Sequence, residues 1–244
     1  MGLFFRVNNM NFGKKFEVFW NFFIHKDGYK TVLTGLENTA IIAVSGLLIG
    51  IFIGTIIAAL NVIPKNNPVI KLLDKIGRLY VGLFRGTPIV VQLLIFYYVL
   101  LPLLDVNLNS VGVAVVVFGM NSGAYISEIM RAGILSVDPG QMEGGRSVGL
   151  SYGTTMMKIV IPQAVKNILP TLGNEFIALI KETAVVSFIG ATDICVAFSR
   201  IASNSYEYMV PYLVMALIYI VLVVIISQLV KLMERSLRKS DKSL

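Results

Sequence analysis

The chain has 244 residues, of which 56% are hydrophobic and 14% charged, with a mean hydropathy of +0.77. A soluble domain carries about 25% charged residues, so this composition excludes one and specifies an integral membrane protein. The formal net charge is +7, but the Lys and Arg residues fall between apolar runs, so they read as loops at a membrane surface and not as a nucleic-acid face. A single cysteine, Cys195, excludes an internal disulfide, and a single histidine, His25, excludes a two-histidine metal site within one copy.

In chain order, residues 1–30 combine Arg6, Lys14, Lys15 and Lys26 with many aromatics and lack an apolar core followed by a small-residue cleavage site. They read as an uncleaved segment lying along the membrane interface. Residues 31–236 read as one transmembrane bundle and residues 237–244 as a polar tail. A spanning helix needs about 20 mainly apolar residues, and residues 38–64, 86–104, 106–127, 168–195 and 209–230 meet this requirement. The expected fold class is therefore all-α, a polytopic membrane protein with five transmembrane helices.

The first span carries Gly46, Gly50 and Gly54 at four-residue spacing, which predicts a seam where another helix approaches closely. The fourth is the one span with charge well inside: Glu175, Lys181, Glu182 and Asp193. Five spans put the termini on opposite sides. With the C-terminus inside, the inner segments hold Lys65, Lys71, Lys75 and Arg78, then Arg131, Arg146, Lys158 and Lys166, then Lys231, Arg235, Arg238, Lys239 and Lys242. The outer loops then hold only Arg200 besides the charges of the N-terminal segment, so the C-terminus reads as cytoplasmic and the N-terminus as external.

Residues 130–165 are too polar to span and too patterned for a plain loop. Asp138 followed by Pro139 predicts a helix start, with Gln141 where a capping-box partner would sit. Gly149 suits the helix end, and Ser151 can cap a second short helix running toward Pro162. Inside the first helix lie Gly144 and Gly145, each costing about 1 kcal/mol relative to alanine. Either a bare helix face presses against another protein's surface, or the helix is locally weak. The run from Gly144 to Ser151 mimics a phosphate-binding loop but has Leu150 where the Lys is required, so the chain does not bind ATP by that motif.

The segment Asp138-Pro139-Gly140-Gln141-Met142-Glu143-Gly144-Gly145-Arg146-Ser147-Val148-Gly149-Leu150-Ser151, continuing to Ile161-Pro162-Gln163-Ala164, resembles the cytoplasmic EAA loop of bacterial ABC importer permeases. It departs from that pattern in having glycine for both alanines and Ile161 for the leucine before proline. Phe84-Arg85-Gly86-Thr87-Pro88 with Gln92, Gly123-Ala124-Tyr125 with Glu128 and Arg131, and Lys181-Glu182-Thr183 leading to Ile189-Gly190 are similar to the polar amino acid branch of these permeases.

The resemblance implies a permease subunit of an ATP-driven importer that moves a polar amino acid across a bacterial cytoplasmic membrane by alternating access. It implies four kinds of partner: a second permease subunit, an ATP-binding subunit, an extracytoplasmic amino-acid-binding protein and membrane lipid. It implies no cofactor in this chain, with ATP and Mg in the partner ATPase. The ATPase contact then falls, by position, on Glu143, Gly144, Gly145, Arg146 and Gly149. Glu143 and Arg146 also suit a simple i,i+3 pair, worth about 0.2–0.5 kcal/mol.

For the solute path, the helical rise from Pro170 to Lys181 is about 16 Å, which puts Lys181 and Glu182 near mid-membrane, where ionisable groups face a partner or a watery cavity. The pair suits the carboxylate and ammonium of an amino acid, or else an ion-pair network within the bundle. Thr87, Gln92, Asn121 and Ser122 are further path candidates, or else hydrogen-bond neighbouring helices. Glu128 and Arg131 read as a structural pair. Two other classes compete. A membrane enzyme would need a nucleophile or metal motif that the sequence lacks, and a secondary transporter or channel would more usually show internal repeats and more spans.

Overall fold

The structure is a computed structural model that describes residues 11–241, with side chains as far as Ser236. Residues 1–10 of the expected interfacial segment, Arg6 among them, and residues 242–244 of the tail lie outside the described residues. Every regular element among the described residues is helical. In order they are α1 (Phe12–Trp20, continued by a π turn Asn21–His25), α2 (Gly28–Val62), α3 (Pro68–Gly86), α4 (Ile89–Leu103) and α5 (Ser110–Leu135). Then come α6 (Pro139–Ser147), α7 (Tyr152–Ile189), α8 (Ile194–Ser205) and α9 (Met209–Asp241).

Three of these, α2, α5 and α9, are long and apolar enough to cross a membrane, and the count reaches five when α3 with α4 and α7 with α8 are each taken as one broken span. The breaks are where the expected spans need correction. The run 86–104 does not begin a helix at Gly86. Pro88 has no N–H and forces Thr87 into extended backbone (φ −124°, ψ 144°), so α3 ends there and α4 starts anew. The run 168–195 is likewise not one helix. Its helix begins at Tyr152, continues through Pro162 and Pro170, and tightens into a 3₁₀ turn over Thr183–Ile189. It stops at Gly190, whose φ of +75° a side chain would disfavour. Asp193 is therefore not a charge within the spanning helix. It is the N-cap of α8, accepting the Val196 N–H at 2.9 Å.

The short helix expected to end at Pro162 is the start of the long α7. Proline in a helix removes one hydrogen bond and crowds the carbonyl four residues back. Here it follows a π turn, Met156–Val160, in which that ladder is already displaced.

The described chain forms two compact units. One comprises the described residues of Met1–Val44 with Ile89–Val117 and Ile180–Val224. Its core gathers Phe19, Val32, Ile194, Ala197, Phe198, Ile201 and Val210. The Asn38 amide donates to the Thr192 carbonyl at 2.8 Å. The buried Glu207 carboxylate accepts the N–H groups of Met209 and Val210, at 3.1 and 2.9 Å, at the start of α9.

The other unit comprises Ser45–Pro88, Phe118–Leu179 and the described residues of Ile225–Leu244. Its glycine seam is as the spacing predicts. A Cβ on Gly50 would lie 2.8 Å from Ser122 Oγ, and one on Gly54 2.7 Å from Ile126 Cγ2 and 2.9 Å from the Ser127 nitrogen. A second core joins Ile126, Val137, Val160, Ala164, Ile168 and Leu172, and so ties α5 to α7.

Candidate coupling loop and solute path

The loop between α5 and α7 is a built structure within the second unit. Asp138 caps α6 by accepting the Gly140 N–H at 2.7 Å, with Pro139 in the first turn. Gln141 does not close a capping box. Its N–H bonds the Asp138 carbonyl at 2.9 Å, and its side-chain oxygen accepts from Gln163 at 3.2 Å, which ties α6 to α7. Gly149, at φ +88°, ends the turn, and the Leu150 N–H returns to the Gly145 carbonyl at 3.1 Å. Ser151 then caps α7 through the Thr154 N–H at 3.2 Å.

The two helix glycines have different roles. Gly145 is buried, and a Cβ there would lie 2.5 Å from Thr155 Cγ2, so its bareness serves a close approach inside the chain. Gly144 is exposed and would meet nothing within 4 Å. The i,i+3 pair is not formed. Arg146 donates to the Leu150 carbonyl at 2.8 Å, and Glu143 makes no ion pair among the described residues. Glu143, Gly144, Arg146 and Gly149 therefore share an exposed surface. Val148 (77% exposed) lies between the last two in sequence, at the end of α6, and Met157 (67% exposed) lies on the first part of α7. Sequence reasoning passed over these two, although apolar residues in a polar segment were the available signal.

The loop is seated on the rest of its unit by polar contacts. The Tyr152 hydroxyl donates to the Val62 carbonyl at 3.1 Å, at the end of α2. The segment after Val62 is held in turn by Lys65, whose ammonium lies 2.6 Å from Asp74, while Arg78 lies 2.7 Å from the same carboxylate. Asp74 is 1% exposed and sits between two cations that keep contact with water. The side chain of Asn167 donates to Ser136 at 2.9 Å, bracing α7 against the end of α5.

Of the path candidates in this unit, Asn121 and Ser122 are both buried on α5. The Asn121 amide donates to the Phe84 carbonyl at 3.4 Å, and the Ser122 hydroxyl donates to Glu175 at 3.1 Å. Glu175, one of the carboxylates that the sequence placed inside the fourth span, is thus the partner of a candidate. Thr87 is exposed, its hydroxyl donating to the Leu83 carbonyl at 2.8 Å. In the same unit Glu128 and Arg131 pair at 2.8 Å, as their spacing predicts, and Arg85 lies 4.0 Å from the same carboxylate and 5.4 Å from the Tyr125 ring centre. Arg85, Tyr125 and Glu128 line an open groove of about 460 Å³ with Ser136, Asn167 and Thr171.

In the first unit, Gln92 is buried on the part of α4 that packs against Thr183–Ile189. Lys181 and Glu182 stand at the end of the α-helical part of α7, both exposed and in no salt bridge among the described residues.

Residues 50–239 match the family described as the binding-protein-dependent transport system inner membrane component, and the chain belongs to that family. It is 40% identical over 210 residues to the arginine transport system permease protein ArtQ of Bacillus subtilis, covering 86% of this chain and 94% of the relative. It is 35% identical to the putative glutamine transport system permease protein GlnP of Rickettsia prowazekii, covering 86% and 95%. A solved structure described as an amino acid ABC transporter with histidines superposes with a TM-score of 0.79 at 38% identity, covering 88% of this chain and 98% of that one.

The protein is a permease subunit of an ABC importer for amino acids, a transport subunit and not an enzyme. Membership implies an ATP-binding subunit, which would carry the nucleotide, and a solute-binding protein as partners, and a multi-pass place in the membrane.

Proposed function

We propose that the chain carries a polar amino acid and that α6 is the point at which a separate ATPase drives it. The observation that carries this reading is the exposed surface of Glu143, Gly144, Arg146, Val148 and Gly149 on a helix braced from behind by Gly145 against Thr155. A charged rim around an apolar residue suits a cleft on a soluble partner. The brace lets a push on α6 reach α7 and, through Tyr152, the end of α2.

The substrate class follows from the relatives named for arginine and glutamine. Asn121 and Ser122 line the solute path in this reading, and the geometry adds Glu175, whose carboxylate suits a substrate ammonium or guanidinium. Thr87, Gln92, Lys181 and Glu182 keep the same assignment from their sequence positions. The C-terminus is cytoplasmic and the N-terminus external, the orientation favoured by the Lys and Arg distribution. The functional unit pairs this chain with a second permease subunit above two copies of an ATPase that holds ATP and Mg, with an extracytoplasmic binding protein delivering the solute.

The deciding experiment measures ATP hydrolysis by the chain assembled with a candidate ATPase in lipid, with a binding protein loaded in turn with single amino acids. Stimulation by one loaded form is expected and names the substrate. Absence of both complex and stimulation with every cognate candidate overturns the reading. With solute uptake measured on the same assembly in sealed vesicles, Glu143→Lys is expected to lower it by about tenfold or more, the scale of one disrupted charged contact at an interface. ATP hydrolysis should persist, and the variant should stay monodisperse. Unchanged uptake would remove Glu143 from the contact.

A further inference from the structure

The N-terminal part of the first unit carries a feature that transport does not use. Helix α1 exposes Phe12 (57%), Phe16 (43%) and Trp20 (48%) at four-residue spacing along one face, with Phe16 and Trp20 stacked at 5.9 Å. An adjacent edge of the same segment sends Phe19, Phe22 and Phe23 into the core with α8. The exposed aromatics are therefore a surface held in place, with Lys14, Glu17 and Asn21 on the side away from them.

The depth of this surface follows from the next helix. The 35 residues of α2 extend about 52 Å, against about 30 Å for the hydrocarbon core and about 40–45 Å for a whole bilayer. Its apolar run begins near residue 38, so the first turns, with Gly28 and Thr31, stand at the level of the lipid headgroups.

At that level lies a pocket of about 430 Å³ lined by Phe22, Lys26, Gly28, Thr31, Arg200 and Asn204. Its lining contains two cations and no acid. Among the described residues neither Lys26 nor Arg200 has a carboxylate within 4.0 Å, and neighbouring Asp27 is taken by Lys30 at 3.0 Å. The Lys26 ammonium lies 4.0 Å from the Phe22 ring centre, with the chain stem along the aromatic surface. Two uncompensated cations with hydroxyl and amide groups beside them suit an oxyanion.

We propose that this pocket binds the phosphodiester headgroup of an anionic phospholipid, with Lys26 and Arg200 on the phosphate, Thr31 and Asn204 on its oxygens or the headgroup hydroxyls, and the α1 aromatics on the upper acyl chain. The same charge would also attract a carboxylate of a docking protein. The aromatic face on the same segment decides for lipid, because it belongs at the boundary between headgroups and acyl chains.

Trp20 is the only tryptophan of the chain and stands on the exposed aromatic face of α1, so it reports on lipid held beside this segment. The full chain would be placed in nanodiscs of phosphatidylcholine doped with brominated phosphatidylglycerol or brominated phosphatidylcholine, and Trp20 quenching measured against mole fraction. Half-maximal quenching by the anionic lipid is expected at a fraction lower by on the order of tenfold, the scale set by two basic residues at a membrane surface. K26A/R200A should lose that preference and keep the quenching by phosphatidylcholine, while K26R/R200K should retain it. Equal midpoints for the two lipids in the unmodified chain, or a preference that survives in K26A/R200A, overturns the proposal. Equal midpoints together with weakened stimulation by a binding protein in K26A/R200A would assign the cations to a protein carboxylate instead.

Discussion

Gly145→Leu is expected to abolish uptake while the chain still inserts and still assembles with its ATPase. The alanine-sized Cβ alone meets Thr155 Cγ2 at 2.5 Å, Thr155 Oγ1 at 3.0 Å and Ile159 Cδ1 at 3.2 Å. Thr155 cannot swing aside, because its hydroxyl donates to the Ser151 carbonyl at 3.0 Å and the residue is buried. The larger side chain must lever α6 away from α7, and overpacking of this kind costs about 1–3 kcal/mol. With that contact forced apart, α6 would move without carrying α7 with it. Uptake and ATP hydrolysis measured together on the assembled transporter check this, the expected outcome being hydrolysis without transport. Gly144→Ala is the control, since nothing lies within 4 Å of the added atom. Loss of uptake there, with α6 intact, would report the ATPase surface and not the internal brace.

The second large effect is on the fold itself. Gly54→Leu is expected to destabilise the chain by about 3 kcal/mol or more, the upper range for forcing volume into a packed contact. The reason is the identity of the obstructing atoms: Ile126 Cγ2 at 2.7 Å, and the Ser127 backbone nitrogen at 2.9 Å, which no rotamer change can move. Helix α5 would have to part from α2 along a seam that Gly46 and Gly50 also keep narrow. Size-exclusion profiles and thermal unfolding in detergent measure this, with Gly82→Leu, where the added atom meets nothing within 4 Å, expected to leave both unchanged.

What could be read from residues alone divides along physical lines. Apolar length and small-residue spacing are local properties, so the helical class, the seam at Gly46, Gly50 and Gly54, and the Asp138 and Gly149 boundaries of α6 were legible. Breaks inside apolar runs were not, because hydropathy averages over Pro88 and Gly190, where the backbone changes direction. The value of Asp193 and Glu207 was hidden for a related reason. Asp193 looks like a charge in the wrong place and Glu207 like an ordinary loop residue until each carboxylate is seen to accept backbone N–H at a helix start. Pairings across distant sequence, such as Ser122 with Glu175 or Tyr152 with Val62, have no local signature at all. The adjacent glycines Gly144 and Gly145 of α6 illustrate the limit well: identical in type, the first faces open solvent and the second a buried threonine.

The hydrogen bond from Tyr152 to Val62 also bears on how the chain is made. Its partners stand 90 residues apart, and Thr155 and Ile159, which cover Gly145, emerge only after α6 has been synthesised. A nascent chain that has just completed α6 therefore holds a short helix weakened by two glycines, with its supports still to come. The surface of α6 matures late in translation, once the following span is available to receive it, and an interrupted chain would leave that stretch of backbone open to proteases.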